Sequence, residues 1–346
     1  MNLKTALAGP SDKERWDAFV ARHPAGSCCH AFGWSTVFQH TYRKDFYFLY
    51  ATADRDWVGV LPLVHLQGPL AGNRLVSLPY LDQGGILTTS DEAARALEQA
   101  AFRLARETGA TGLDLRGPSR AASPAPEESK RFRFLLDLEG SEEKLWQAIG
   151  PKVRNQIRKS ESSGLISHRV GSERLDDFFP VFARNMRDLG SPTHSRRFFA
   201  EIFSAFDSAA GLYLTLDAQE SPVAGGVSIA FGDTVTVPWA SSLRSARSAC
   251  PNHSLYWRVL RDARREGADR FDFGRSSVGT GTFHFKKQWR ATPEPLMWEF
   301  YAADGSAESE PYLDPRKHSH LAAAWRRLPM SLANLLGPLV RRQLAN

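Results

Sequence analysis

The sequence predicts an α/β protein made of two copies of one unit, followed by a short helical tail. Three matched stretches carry that reading. RETGATGLDLRGPS at 106–119 returns without a gap 158 residues later as RREGADRFDFGRSS at 264–277. RLVSLPY (74–80) is mirrored by TVTVPW (234–239), and FYFLYATADRDWVGVLPLVHL (46–66) by LYLTLDAQESPVAGGVSIAF (212–231). One match of a dozen residues would carry little. The same order of elements in both halves marks an internal duplication.

Each element follows from its residues. The 46–66 and 212–231 stretches read as two strands joined by a polar turn. The next stretch alternates apolar residues and closes on proline and an aromatic. A helix follows in each copy: Ala94, Leu97, Ala101, Leu104 and Ala105 recur at helical spacing, as do Tyr256, Val259, Leu260 and Ala263. Gly109 and Gly267 suit a left-handed helix cap, and a short strand with a central Asp, Asp114 or Asp272, closes the unit. Each half is thus helix, strand, strand, strand, helix, strand, mostly antiparallel with one crossover. AASPAPEESK reads as a linker, and RFRFLLDL (131–138) as a strand opening the second half. After 302 a polar loop leads to LAAAWRRLPMSLANLLGPLVRRQLAN, a pair of amphipathic helices broken near Pro329 and Gly337–Pro338. The expected division is a first domain over 1–119, a linker over 120–130, a second domain over 131–302 and a tail over 303–346.

Composition narrows the class. At 346 residues and 42% hydrophobic the chain suits two packed domains, not a disordered protein. No apolar run approaches the ~18–20 residues of a membrane span, and MNLKTALAGPSDKERWD lacks the long apolar core of a signal peptide. Three cysteines, two of them adjacent at Cys28 and Cys29, suit free thiols and a cytoplasmic setting. A net charge of +6 is too small to imply nucleic acid by itself.

Three stretches hold candidate chemistry. PKVRNQIRKSESSG (151–164) reads as a helix from Pro151 to a cap at Gly164. Val153 and Ile157 share its apolar face, while Lys152, Arg154 and Arg158, with Asn155 and Lys159, cover the rest. Such a face either grips phosphates or is simply solvated. FDFGRSSVGTGTFHFKKQWR (271–290) reads as a strand ending at Gly274, a loop with Gly279 and Gly281, and then Phe285, Lys286 and Lys287 on a further strand. Lys286 either stabilises a developing oxyanion or is a hairpin lysine beside buried aromatics. SLPYLDQGGIL (77–87) places Tyr80 in a turn or at a pocket wall. No Walker loop, GxGxxG, HExxH, CxxC or GxSxG is present, GTGTF is not expected to open a helix, and no metal site is expected; Cys28, Cys29 and His30 read as loop residues.

Taken together, these stretches resemble the FemAB aminoacyltransferases and related acyltransferases, in which the GNAT fold is used twice. PKVRNQIRKSESSGL resembles the basic helix opening the family's second half, LGSPTHSRRFFAEIF (189–203) its G-x-P helix, and HFKKQW (284–289) its Phe-Lys pair. With the LPMSLANLLGPLVRRQL tail, the likeness is greatest to FemAB-like proteins of PEP-CTERM/exosortase systems. The resemblance implies two tandem GNAT-like domains related by duplication, with amphipathic C-terminal helices. It also implies transfer of an acyl or aminoacyl group to an amine in cell-envelope or exopolysaccharide biogenesis. Lys286 and Phe285 would sit at the reacting acyl group; Lys152, Arg154, Arg158, Trp239, Arg275 and Tyr80 would bind substrate. No cofactor would be tightly bound; the co-substrate would be aminoacyl-tRNA, acyl-CoA or an acyl carrier. The acceptor would be an amine-bearing envelope precursor. The location would be cytoplasmic or peripheral at the inner membrane, where the tail helices offer a membrane contact, docking on the protein's own core being the other reading. One departure bears on the donor. GNAT enzymes bind pyrophosphate with a glycine-bearing loop before the crossover helix, and here that place reads LRSARSACPNHS (243–254), with no glycine. Two other functions stay open: a CoA- or carrier-dependent N-acyltransferase acting on a sugar amine, and a non-catalytic scaffold at the membrane.

Overall fold

The computed structural model describes residues 3–70, 72–117, 130–311 and 319–345. The chain divides into two compact units. The first comprises 1–130, 295–313 and 342–346; the second comprises 131–294 and 314–341. Residues 295–302, expected with the second half, therefore belong to the first unit. Most of the expected 120–130 linker lies outside the described residues.

The first unit opens with β1 (Leu3–Ala8), α1 (Lys13–Arg22) and α2 (Trp34–Tyr42). The strands β2 (Phe46–Ala53), β3 (Asp56–Gly68), β4 (Gly72–Val76) and β5 (Leu87–Thr88) follow, then α3 (Asp91–Glu107) and β6 (Gly112–Gly117). Ser90 caps α3 by accepting from the Ala93 N–H. The apolar stripe of α3, Leu97, Ala101, Leu104 and Ala105, packs on Leu61, Leu63, Leu75 and Leu113 of the sheet. β4 and β6 are parallel, joined by the α3 crossover.

The second unit runs β7 (Arg131–Asp137), α4 (Glu142–Ala148), α5 (Pro151–Ser162), β8 (Ile166–Val170), α6 (Leu175–Leu189) and α7 (Arg196–Phe206). It continues with β9 (Ala210–Leu216), β10 (Pro222–Phe231), β11 (Thr234–Ser242), α8 (Pro251–Arg265), β12 (Arg270–Ser277), α9 (Gly281–Gln288) and β13 (Thr292–Pro295). Its sheet has the order β13-β7-β12-β11-β10-β9-β8. Here β11 and β12 form the parallel pair, joined by the α8 crossover. Val153 and Ile157 of α5 and Leu255, Val259 and Leu260 of α8 bury against Phe134, Phe271 and Phe273 on one face. On the other face Phe178, Phe182, Phe198 and Phe199 of α6 and α7 cluster around Trp239.

β14 (Met297–Ala302) then pairs antiparallel with β6, completing the first unit's sheet in the order β1-β2-β3-β4-β6-β14, with β5 on β3. The tail helices α10 (Ser319–Arg326) and α11 (Met330–Arg341) pack on α6. Two sequence expectations fail locally. GTGTF does open a helix, α9, whose Thr280 cap accepts from the Phe283 N–H. And α11 runs unbroken through Gly337–Pro338; Gly337 packs against Thr193, where a Cβ would come within 2.7 Å of the threonine methyl.

Candidate active site

The parallel pair of the second unit separates after three residues. Its register holds at Thr234–Arg270, Val235–Phe271 and Thr236–Asp272. β11 continues to Ser242 and β12 to Ser277, so the strands part and open a gap at their C-terminal ends. Both borders of the gap are irregular. On β11 the register with β10 shifts between Val227 and Ile229, at Pro238, whose missing N–H confines it to such a bulge. The shift reverses the side-chain alternation: Val235 and Val237 face α8, while Trp239 faces α7. On β12 the register with β7 shifts between Asp272 and Arg275, where Gly274 adopts φ 71°. That backbone is strained for residues with a Cβ, and it turns the Gly274 and Arg275 carbonyls out of the ladder.

Lys286 closes on those carbonyls. Its Nζ donates to Gly274 O at 2.8 Å and Arg275 O at 2.7 Å, and it lies 6.0 Å from the Phe134 ring centre. Lys286 is 6% exposed, so its ammonium group is buried at the β12 bulge, where main-chain dipoles hold it. Phe285 packs against His253, Tyr256 and Trp289. Lys286 and Phe285 therefore lie on α9, not on a strand, and α9 packs on β12.

The mouth of the gap is the N-terminus of α8. Cys250 in left-handed backbone precedes Pro251, the first helical residue, where the helix dipole favours an anion. A cavity of about 200 Å³ opens here, lined by Gln156, Ser242, Arg247, Cys250, Asn252, His253, Phe285 and Gln288. The Cys250 thiol donates to Gln156 Oε1 and, at 3.8 Å, to Ser248 O. Burial, with the nearby charge of Lys152, lowers His253 to about 4, so it is neutral at pH 7. Lys152 is exposed one turn before Gln156, on the same side of α5.

The candidate residues from sequence are thus only partly brought together. Phe285 lines the cavity, the charge of Lys152 reaches His253 at its wall, and Lys286 meets Arg275 at the β12 bulge beside it. Arg154 and Arg158 do not line it. The Arg154 guanidinium donates to the carbonyls of Trp146, Gln147 and Ile149 at 2.7–3.2 Å, capping the end of α4. Arg158 stacks over Trp146 at 5.4 Å. Trp239 is 6% exposed, inside the α6–α7 aromatic cluster. Tyr80 lies in the first unit with φ 69°, its N–H donating to Ala345 O and its ring stacked on Phe38. Sequence reasoning missed Gln156, Arg247, Cys250 and His253. Arg247 and Cys250 stand in a loop read only for its lack of glycine, and Gln156 shows its role only once Lys152 is placed beside it.

The corresponding seam of the first unit is closed. Beyond the three paired residues of β4 and β6, the Ser77 N–H donates to Asp114 O at 2.9 Å and Ser77 Oγ accepts from the Arg116 N–H at 2.7 Å. Arg116, which stands where the second copy has Gly274, is fully buried and stacks on Trp298 at 4.2 Å. Arg74 fills the neighbouring space, bound to Asp114 at 2.6 Å and Glu308 at 2.8 Å. Gly112 makes room for it, since a Cβ there would come within 2.0 Å of the guanidinium. A larger cavity in this unit, about 580 Å³, is lined by Phe32, Gln39, Arg43, Lys44 and Tyr47 and lies on α2 and β2, away from the seam.

Known proteins share this fold. Residues 151–287 match the family model described as "Acetyltransferase (GNAT) domain". No curated protein matches the chain in sequence. Among solved structures, FemX superposes with a TM-score of 0.69 at 15% identity, covering 85% of this chain and 96% of its own. L-PGS from Bacillus licheniformis gives 0.54 at 10% identity over 92% of this chain and 98% of its own. A tandem GNAT protein from the clavulanic acid biosynthesis pathway gives 0.53 at 14%, over 88% and 100%. Residues 151–287 thus match a GNAT acetyltransferase model, and the chain as a whole has the tandem form of the GNAT fold.

Proposed function

We propose that the protein transfers an aminoacyl group from aminoacyl-tRNA to an amine of a cell-envelope or exopolysaccharide precursor, with the chemistry in the second unit. The observation that carries this is the parted β11–β12 pair with Lys286 held on its carbonyls and a cationic, glycine-free approach at α8. The amine nitrogen attacks the ester carbonyl, forming an N–C bond. The C–O bond to the tRNA ribose breaks, and the released oxygen takes up a proton. The Lys286 ammonium, buried at the β12 bulge beside the gap, stabilises the oxyanion between these steps, while Phe285 walls the acyl group. The incoming ammonium loses its proton to water, since His253 at about 4 is too weak a base to take it. Lys152, with Arg244 and Arg247 of the loop before α8, meets the phosphates of the donor.

CoA is the second reading, favoured by the family match alone. The site that GNAT enzymes use for pyrophosphate here carries side chains, Arg247, Ser248 and Cys250, where glycine would expose backbone N–H groups. The fold shared with FemX, together with the resemblance of the 151–165 and 284–289 stretches to FemAB aminoacyltransferases, supports the first reading. The test is transfer of label from a mixed aminoacyl-tRNA pool, or from acetyl-CoA, into an extract of envelope precursors. Amide product from the tRNA pool, lost in Lys286→Ala, is expected. Product from acetyl-CoA alone would establish the second reading, and no product from either donor would favour a non-catalytic scaffold.

A further inference from the structure

Helix α11 is packed the wrong way round for a surface helix of a self-contained protein. It buries Ala333, at 2% exposure, and Gly337, its smallest residues, against the body of the second unit. Its large apolar residues face outward: Leu332 is 44% exposed, Leu335 66%, Leu336 38% and Leu339 48%. Their spacing of three, one and three residues puts all four on one side, within about a third of the helix circumference. Single exposed leucines need no explanation, but a contiguous stripe marks a contact surface. The charge of the tail segment itself is equally one-sided, while Asp176 and Asp177 of α6 lie beside the first turn of α11 in a cavity shared with Met330 and Asn334. Residues 319–345 contain Arg326, Arg327, Arg341 and Arg342 and no Asp or Glu. Arg326 and Arg327 are exposed immediately before the helix, and Arg342 just after it. Arg341 is turned inward, its Nε donating to the His194 ring at 3.2 Å, and burial with that neighbouring cation keeps His194 neutral.

We infer that α11 docks the protein on an anionic lipid surface, its leucine stripe entering the headgroup boundary and the flanking arginines meeting lipid phosphates. A tail that frames its apolar stripe with arginines and carries no acid of its own complements that surface better than it complements a second copy, which would bring the same charges against its own. Amphipathic helices of this composition lie in the interface plane without spanning it, and no described helix is long and apolar enough to cross a membrane. The inference does not depend on the donor proposed above.

The test is flotation of the full-length protein with vesicles of phosphatidylcholine alone, or of equal parts phosphatidylcholine and phosphatidylglycerol. Flotation with the anionic vesicles only is expected. Leu335→Ser/Leu339→Ser should reduce the bound fraction by about tenfold or more, because each exposed leucine gives up its burial. Arg326→Gln/Arg327→Gln should weaken partitioning by roughly fivefold per charge. If the serine pair loses helix by circular dichroism, Leu335→Ala/Leu339→Ala replaces it, since alanine retains helix propensity. Failure to float with anionic vesicles, or equal flotation of the leucine variants, overturns the inference. So does a dimer in sedimentation equilibrium that the leucine variants dissolve, which would assign the stripe to a second copy.

Discussion

Lys286 donates to two carbonyls of the β12 bulge, an arrangement that fixes its ammonium group in place. Removing its charge should lower kcat by ~10²–10³ with little change in donor KM, as for loss of one oxyanion donor. Lys286→Arg should not restore the rate, because a planar fork cannot occupy the same point. A KM effect with kcat intact would instead make Lys286 a phosphate contact. Arg154 points to the opposite outcome. It caps α4 through three carbonyls, so Arg154→Ala should cost about 1–3 kcal/mol in denaturant unfolding and leave donor affinity and its salt slope unchanged. Lys152→Ala should flatten that slope and spare stability. In the first unit, His30 is buried, bonded to Gly85 O at 3.1 Å, and lowered to about 4 by burial. The unfolded chain, with an ordinary histidine near 6.5, binds this proton first as pH falls. His30 therefore costs stability progressively between pH 6.5 and 4, up to about 3 kcal/mol. A His30→Asn variant should show a shallower loss than wild type over that window, and parallel curves would contradict the assignment.

Elements were legible where local pattern and tertiary packing agree. The stripe of α3, the 251–265 helix and the Asp strands at 112–117 and 270–277 could be read from spacing, because both copies bury those positions in the same way. Helix α9 could not: an opening glycine and a single turn of aromatics make a poor helix by propensity, and packing of Phe283 and Phe285 on the core decides its form. Trp239 was legible as a strand residue but not in its facing, since the bulge at Pro238 reverses alternation. β14 follows the second copy in sequence yet pairs with β6, a long-range choice that no local pattern encodes. Of the site, the Phe285–Lys286 pair was found by resemblance, while the cavity at Cys250 depends on elements more than 90 residues apart. The bulge itself is testable. Gly274→Ala forces a Cβ onto φ 71° and should cost about 1 kcal/mol or more. By shifting the two carbonyls that hold Lys286 it should also lower kcat; an unchanged kcat would show that the bulge does not position the lysine.

At the scale of the molecule, duplication has produced two units with divergent seams. In the first, Arg116, Arg74 and Ser77 fill and bridge the space between the parallel strands. In the second, Gly274 leaves it open and α9 delivers a lysine to the β12 carbonyls at its border. The second seam alone should therefore receive the donor. Hydrogen–deuterium exchange of the full-length protein, with and without a mixed aminoacyl-tRNA pool, distinguishes the two seams in one experiment. Added protection is expected over 242–254 and 274–288 and at the start of α5, with none over 72–81 or 112–117. Protection confined to the first seam, or none in the second, would contradict this assignment.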